Sequence, residues 1–88
     1  MHADTKPGRD EILADLKNFI AGWFRDGHDD GLEPDTPLVT SGMVDSAGIF
    51  EVVDFIEERF RVGIQDGDIN LANCNTLAGL TELVASKL

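Results

Sequence analysis

The sequence predicts an all-α domain: three amphipathic helices, with a shorter helical turn before the last, packed as a small bundle. Three observations carry this. Apolar residues recur at three- and four-residue steps in three separate segments, and no segment alternates with the period of two that marks a strand. The third is composition: 88 residues, 42% hydrophobic and 27% charged, are enough for one folded domain with its own core.

The first helix begins at about Asp10. Ile12, Leu13, Leu16, Phe19, Ile20 and Trp23 share one face, and Asp26-Gly27 offers a left-handed stop. Residues 1–9 are polar and read as a flexible tail, so the domain proper spans 10–88. Residues 27–44 hold three glycines, two prolines and four carboxylates, which describes a long loop. A loop of this length is usually functional or pinned down, and Leu32, Leu38, Val39, Met43 and Val44 are the side chains available to anchor it.

The second helix starts at Asp45-Ser46, both good capping residues, and runs to about Arg61. Ile49, Val53, Ile56 and Phe60 form its core stripe, while Ala47, Glu51, Asp54 and Glu58 follow the same steps on the opposite face. Residues 62–64 form a short apolar connection. Asp66-Gly67-Asp68 then caps a single helical turn carrying Ile69 and Leu71. The last helix, capped by Asn75 or Thr76, carries Leu77, Leu80, Val84 and Leu88 on one face. Such stripes are hidden only by packing the helices together.

The formal net charge is -10, from 17 acidic and 7 basic residues, so nucleic acid and anionic membrane are disfavoured partners and basic protein surfaces are favoured. The same self-repulsion favours a monomer. One cysteine, Cys74, permits no internal disulfide and reads as an inert thiol. The N-terminus lacks the apolar run of a signal peptide, and no segment has membrane-spanning length, so a cytoplasmic location is expected.

Catalysis needs convergent groups, and the sequence offers few. His2 and His28 fall in the tail and the long loop, and no serine sits in a nucleophile elbow. Two segments imitate a calcium loop. In the first, Asp66, Asp68 and Asn70 fit, but Leu71 and Leu77 stand where a glycine and a glutamate are required. In the second, Asp26, Asp30 and Gly31 fit, but His28 and Pro37 occupy ligand positions. No metal site is expected.

Ser46 stands apart because of its surroundings. A glycine-containing loop leads in, Asp45 directly precedes it, and an acidic stripe runs down the helix it opens. A phosphodiester on its hydroxyl would face free first-turn amides and the positive end of the helix dipole. Asp45-Ser46 and the following Ala-Gly-Ile-Phe-Glu-Val-Val-Asp-Phe-Ile-Glu-Glu-Arg-Phe resemble the modification helix of acyl and peptidyl carrier proteins. Thr36-Pro37-Leu38 with Ser41-Gly42 resembles that family's preceding loop, and Phe60, Val62, Ile64 and Asp66 its following stretch.

This resemblance implies a four-helix bundle, three longer helices and one short, that is not itself an enzyme. It implies covalent 4'-phosphopantetheine, derived from coenzyme A, on Ser46 beside Asp45, bearing an acyl or aminoacyl thioester. The expected partners are a phosphopantetheinyl transferase, a loading ligase and downstream enzymes of fatty acid, polyketide or nonribosomal peptide type biosynthesis. Their basic patches would meet Ala47, Phe50, Glu51, Asp54, Glu57, Glu58 and Ile64. The family usually has leucine after the serine, where this chain has Ala47 followed by Gly48, a poor helix former by about 1 kcal/mol. Phe50 and Phe55 lie outside the core stripe, as docking contacts or as packing under the loop. The competing reading is an unmodified acidic interaction module in which Ser46 is only a helix cap. Either way, added salt or divalent cations should raise Tm by screening the like charge, and a flat salt titration would contradict that.

Overall fold

The computed structural model describes residues 6–28 and 31–88. The order of elements is α1 (Arg9–Phe24), α2 (Ser46–Phe60), a 3-10 turn (Asp66–Asp68), α3 (Leu71–Cys74) and α4 (Leu77–Lys87). Among the described residues there is no strand. The chain is a small helical bundle of three longer helices and one short one, as expected. α1 begins at Arg9, one residue inside the expected tail, and the tail up to residue 5, with His2, lies outside the described residues.

Each helix ends for a local reason. The Arg25 and Gly27 amides both return to the Ala21 carbonyl, at 3.0 and 2.8 Å, and the left-handed backbone at Asp26 (φ 52°) turns the chain out of α1. α2 stops where Arg61 adopts φ 59°, a left-handed conformation costly for a non-glycine residue. α4 is capped by Thr76, whose Oγ1 accepts the Gly79 amide at 2.9 Å. Asn75, the other candidate cap, is employed elsewhere.

The expected single turn at 66–71 is instead two elements. Asp68 Oδ2 reaches back to accept the Gln65 amide (2.9 Å), closing the 3-10 turn, while Asn70 Oδ1 accepts the Asn73 amide (2.9 Å) and opens α3. Two separate caps interrupt what one cap would have continued, leaving Ile69 between them.

The core joins Ile12, Leu16 and Ile20 of α1 to Ile49, Val52, Val53, Ile56 and Phe60 of α2 and to Leu77, Leu80 and Val84 of α4. Val52 is a core member that the four-three-four stripe omitted. The long loop contributes Leu32, Leu38 and Val44, all fully buried, with Val39 and Met43 partly so. Trp23 corrects the expected stripe of α1, being 59% exposed. Phe19 instead stacks on Phe55 with centroids 4.3 Å apart, and Trp23 stacks on the outer side of Phe19 at 5.7 Å. Phe55 therefore packs against α1 rather than under the loop and stays partly exposed, whereas Phe50 is 58% exposed.

α3 and α4 meet so closely that a Cβ at Gly79 would lie 2.8 Å from the Asn73 carbonyl oxygen and 3.0 Å from that of Ala72. Both obstacles are backbone atoms, which yield only if the α3–α4 junction opens. Gly79→Ala should therefore lower stability by about 1 kcal/mol or more by overpacking, although alanine is the better helix former. Urea unfolding decides the sign, and a stabilised variant would mean the junction opens freely.

Candidate functional site

The site is built around the start of α2. Asp45 is its N-cap, in extended conformation, with Oδ1 accepting the Gly48 amide at 2.7 Å and its carbonyl accepting the Ile49 amide at 3.0 Å. Ser46 is the first helical residue and is exposed. The capping side chain is Asp45, so the reading of Ser46 as a mere cap is corrected by the geometry. Gly48 also has a reason to be glycine: a Cβ there would lie 2.7 Å from the Phe24 ring, which occupies that space.

The segment leading to Ser46 is held by Asn75, whose sequence position between two helices suggests only a cap. The Leu38 amide donates to the Asn75 carbonyl (2.6 Å), and the Val39 and Thr40 amides both donate to Asn75 Oδ1 (2.8 and 3.0 Å). Asn75 Nδ2 donates to Thr40 Oγ1 at 3.3 Å. The Val44 amide closes back on the Leu38 carbonyl at 2.9 Å, and the Ser41 hydroxyl donates to the Pro37 carbonyl at 2.6 Å. The signal was present in the sequence, an asparagine between two helices, but its partners lie about 36 positions away.

Beside Ser46 opens a mainly apolar groove of about 300 Å³, lined by Val39, Ile49, Phe50, Ile69, Leu71 and Cys74 among others. Leu71 and Phe50 are exposed on its rim, at 55% and 58%. A second hollow of about 410 Å³, near Glu11, Asp15 and Arg59, is polar and lies at the other end of α2.

The expected docking residues divide in two. Ala47, Phe50, Glu51, Asp54 and Glu58 are all exposed on α2. Glu57 and Ile64 are partly buried and joined to each other, Glu57 Oε2 accepting the Ile64 amide at 2.9 Å. Their first task is to turn the chain after α2. The calcium-loop look-alike has a similar explanation, because Asp68 and Asn70 are spent as caps. Asp30 of the other look-alike lies outside the described residues.

No protein-family model matches the chain. Over 69 residues it is 44% identical to the probable acyl carrier protein PigG of Serratia sp. (strain ATCC 39006), a match covering 78% of this chain and 79% of that relative. The chain belongs to the acyl carrier protein family. Its role is therefore that of a non-catalytic carrier. No helix among the described residues is long and apolar enough to cross a membrane.

In this carrier protein the segment that forms one side of the groove is tied to the end of α4. Asp68 Oδ2 pairs with Lys87 Nζ at 2.7 Å, and Asn73 Nδ2 donates to the Asp68 carbonyl at 2.8 Å. The Lys87 hydrogen bond, then the Gln65 amide, holds the Asp68 carboxyl below the usual carboxylate range. Burial pushes the Cys74 thiol up, which suits an inert groove-lining side chain.

A carboxyl depressed in the folded state stabilises above its unfolded value, about 3.9, and that contribution is lost as pH falls through the folded value. Asp68→Asn should therefore lower Tm near neutral pH, with the gap to wild type closing as the solution is acidified through the carboxylate range. A gap independent of pH would exclude the charged pair as its source.

Proposed function

We propose that Ser46 Oγ is the attachment point of 4'-phosphopantetheine, and that the protein holds an acyl or aminoacyl group as a thioester and presents it to partner enzymes. The biosynthesis concerned is of fatty acid, polyketide or nonribosomal peptide type. One observation carries the reading: an exposed serine hydroxyl opens a 15-residue helix whose cap is provided by its neighbour, so the hydroxyl is not committed to the helix. When bound, the prosthetic group supplies a thiol on a flexible arm. The chain supplies a fixed anchor, an anionic approach and an apolar groove.

The residues present fit this group, with one adjustment. Asp45 already takes the Gly48 amide and offsets part of the positive helix end, so a phosphodiester on Ser46 gains less from the dipole than an uncapped terminus would give. The Ser46 and Ala47 amides remain free of that cap. The groove lined by Val39, Ile49, Phe50 and Leu71 offers apolar cover to a cargo or to the arm. Its walls are held by Asn75 on one side and by the Asp68–Lys87 pair on the other.

Ala47, Phe50, Glu51, Asp54 and Glu58 suit weak, reversible docking of basic patches on the transferase, the loading ligase and the downstream enzymes. A tether makes each encounter a local search at high effective concentration, so no single interface needs to be tight. The small Ala47 narrows the apolar part of that surface, and the exposed Phe50 widens it on the groove side.

Intact mass tests the reading directly. After incubation with coenzyme A and a broad-specificity phosphopantetheinyl transferase, the wild type gains one phosphopantetheine unit, and Ser46→Ala, with an unchanged circular dichroism spectrum, gains none. A wild type left unmodified by several transferases would favour the acidic interaction module.

A further inference from the structure

Trp23 has no role in holding the bundle together that its burial would reveal. It is 59% exposed, yet it ends a ladder in which its ring stacks on Phe19 (5.7 Å between centroids, 16° between planes) and Phe19 stacks on Phe55 (4.3 Å, 12°). The ladder crosses from α1 to α2. It continues to Phe60, which meets Phe55 edge-on at 6.3 Å. Its outermost member is the chain's one tryptophan, left largely in water.

The surroundings of this shelf select its occupant. On α2, Glu51 lies one turn before Phe55 and Glu58 one turn after, on the solvent side of the ring, and both are exposed. The cation on this edge of α2 is Arg59, whose Nη2 lies 3.0 Å from Asp15 Oδ2 and whose guanidinium carbon lies 5.7 Å from the Phe60 centroid. Arg59 is thus already engaged. What remains is an aromatic ladder whose inner ring, Phe55, is flanked by Glu51 and Glu58, neither with an ion-pair partner among the described residues, on a chain of net charge -10; it attracts a guanidinium or ammonium group through both the ring quadrupole and the overall field. A second copy of this chain, also at -10, would be repelled.

The shelf is also near the working end of the molecule. Phe24, the residue after Trp23, packs on Gly48, two residues from Ser46. Around α2 the order of surfaces is the groove with Phe50, the outer face with Ala47, Asp54 and Glu58, and then the edge with Phe55 that leads to Trp23. An enzyme covering the acidic face to reach Ser46 would extend over this edge.

We propose that the Trp23–Phe19–Phe55 shelf is a second docking surface, on the side of α2 away from the groove, and that it receives an arginine or lysine side chain of the enzymes acting at Ser46. This identity of the partner rests on the carrier reading, whereas the cationic chemistry of the occupant rests on the shelf alone. Trp23 anchors the partner and takes no part in the transfer itself.

The test is the steady-state modification of the carrier with coenzyme A and a broad-specificity transferase, comparing wild type, Trp23→Ala, Trp23→Phe and the exposed control Asn18→Ala. Trp23→Ala should raise KM for the carrier about five- to tenfold with kcat within about twofold, Trp23→Phe should recover most of the loss, and Asn18→Ala should match wild type. In parallel, 5-fluorotryptophan incorporation gives one fluorine resonance, which should shift on adding the transferase. A modified wild type with unchanged KM in Trp23→Ala and an unmoved resonance overturns the proposal and leaves the carrier reading standing. If the wild type is not modified at all, the carrier reading fails instead, and the resonance is titrated with an arginine-rich peptide and an acidic one. A shift with the basic peptide alone supports the shelf, and an equal response to both overturns it.

Discussion

The site depends on one asparagine. The connection from α1 to α2 carries few secondary-structure bonds of its own, and three of its successive amides, at Leu38, Val39 and Thr40, are satisfied by Asn75. Closing a loop of this length costs entropy that grows only slowly with length, so a single well-bonded clamp can hold it. Once Leu38 is fixed, its side chain is buried, its carbonyl accepts the Val44 amide, and the chain is delivered to Asp45 in the extended conformation an N-cap requires. Without the Asn75 side chain the part-buried Val39 amide would lose its partner, and an unmade bond there costs more than a made one contributes.

The same clamp explains why the groove has a defined shape. Val39, one of the two residues bonded to Asn75 Oδ1, forms one wall, and Ile69 and Leu71 on the far side belong to a segment stapled to α4 through Asp68 and Lys87. A groove between a loop and a four-residue helix would otherwise be soft. Here both sides reach the α3–α4 region, whose own close approach is set by Gly79 under the Ala72 and Asn73 carbonyls. Rigidity at the base of α2 therefore has its source at the opposite end of the sequence.

Periodicity made the helices legible, since each apolar stripe had only one way to be hidden, and isolated apolar residues in a polar loop revealed Leu32, Leu38 and Val44 as anchors. What it could not supply was the partner of each residue. Trp23 sits on the stripe of α1, but the space beside Gly48 is taken by Phe24, and Phe55 is taken by Phe19, so α2 has no surface left to cover it. Glu57 read as one more surface carboxylate because its partner, the Ile64 amide, lies beyond the left-handed turn at Arg61. Ser46 was identified through neighbouring residues and family resemblance. That Asp45 rather than Ser46 does the capping is a matter of backbone geometry that two adjacent capping residues do not decide.

The distribution of the scarce cations gives α2 its electrostatic character. Among the described residues, Arg9 forms a two-bond pair with Glu82 (2.6 and 3.0 Å) between α1 and α4, Arg59 pairs with Asp15 between α2 and α1, and Lys87 pairs with Asp68. All three pairs join elements distant in sequence. The Arg9–Glu82 pair, exposed on both sides, contributes little stability by itself. The larger effect of the three pairs is on what they leave behind: Arg9, Arg59 and Lys87 are held at the seams between elements, and Glu51, Asp54 and Glu58 on the outer face of α2 face solvent without a paired cation among the described residues. An acidic surface beside an available hydroxyl thus follows from where Arg9, Arg59 and Lys87 are placed as much as from the acidic residues themselves.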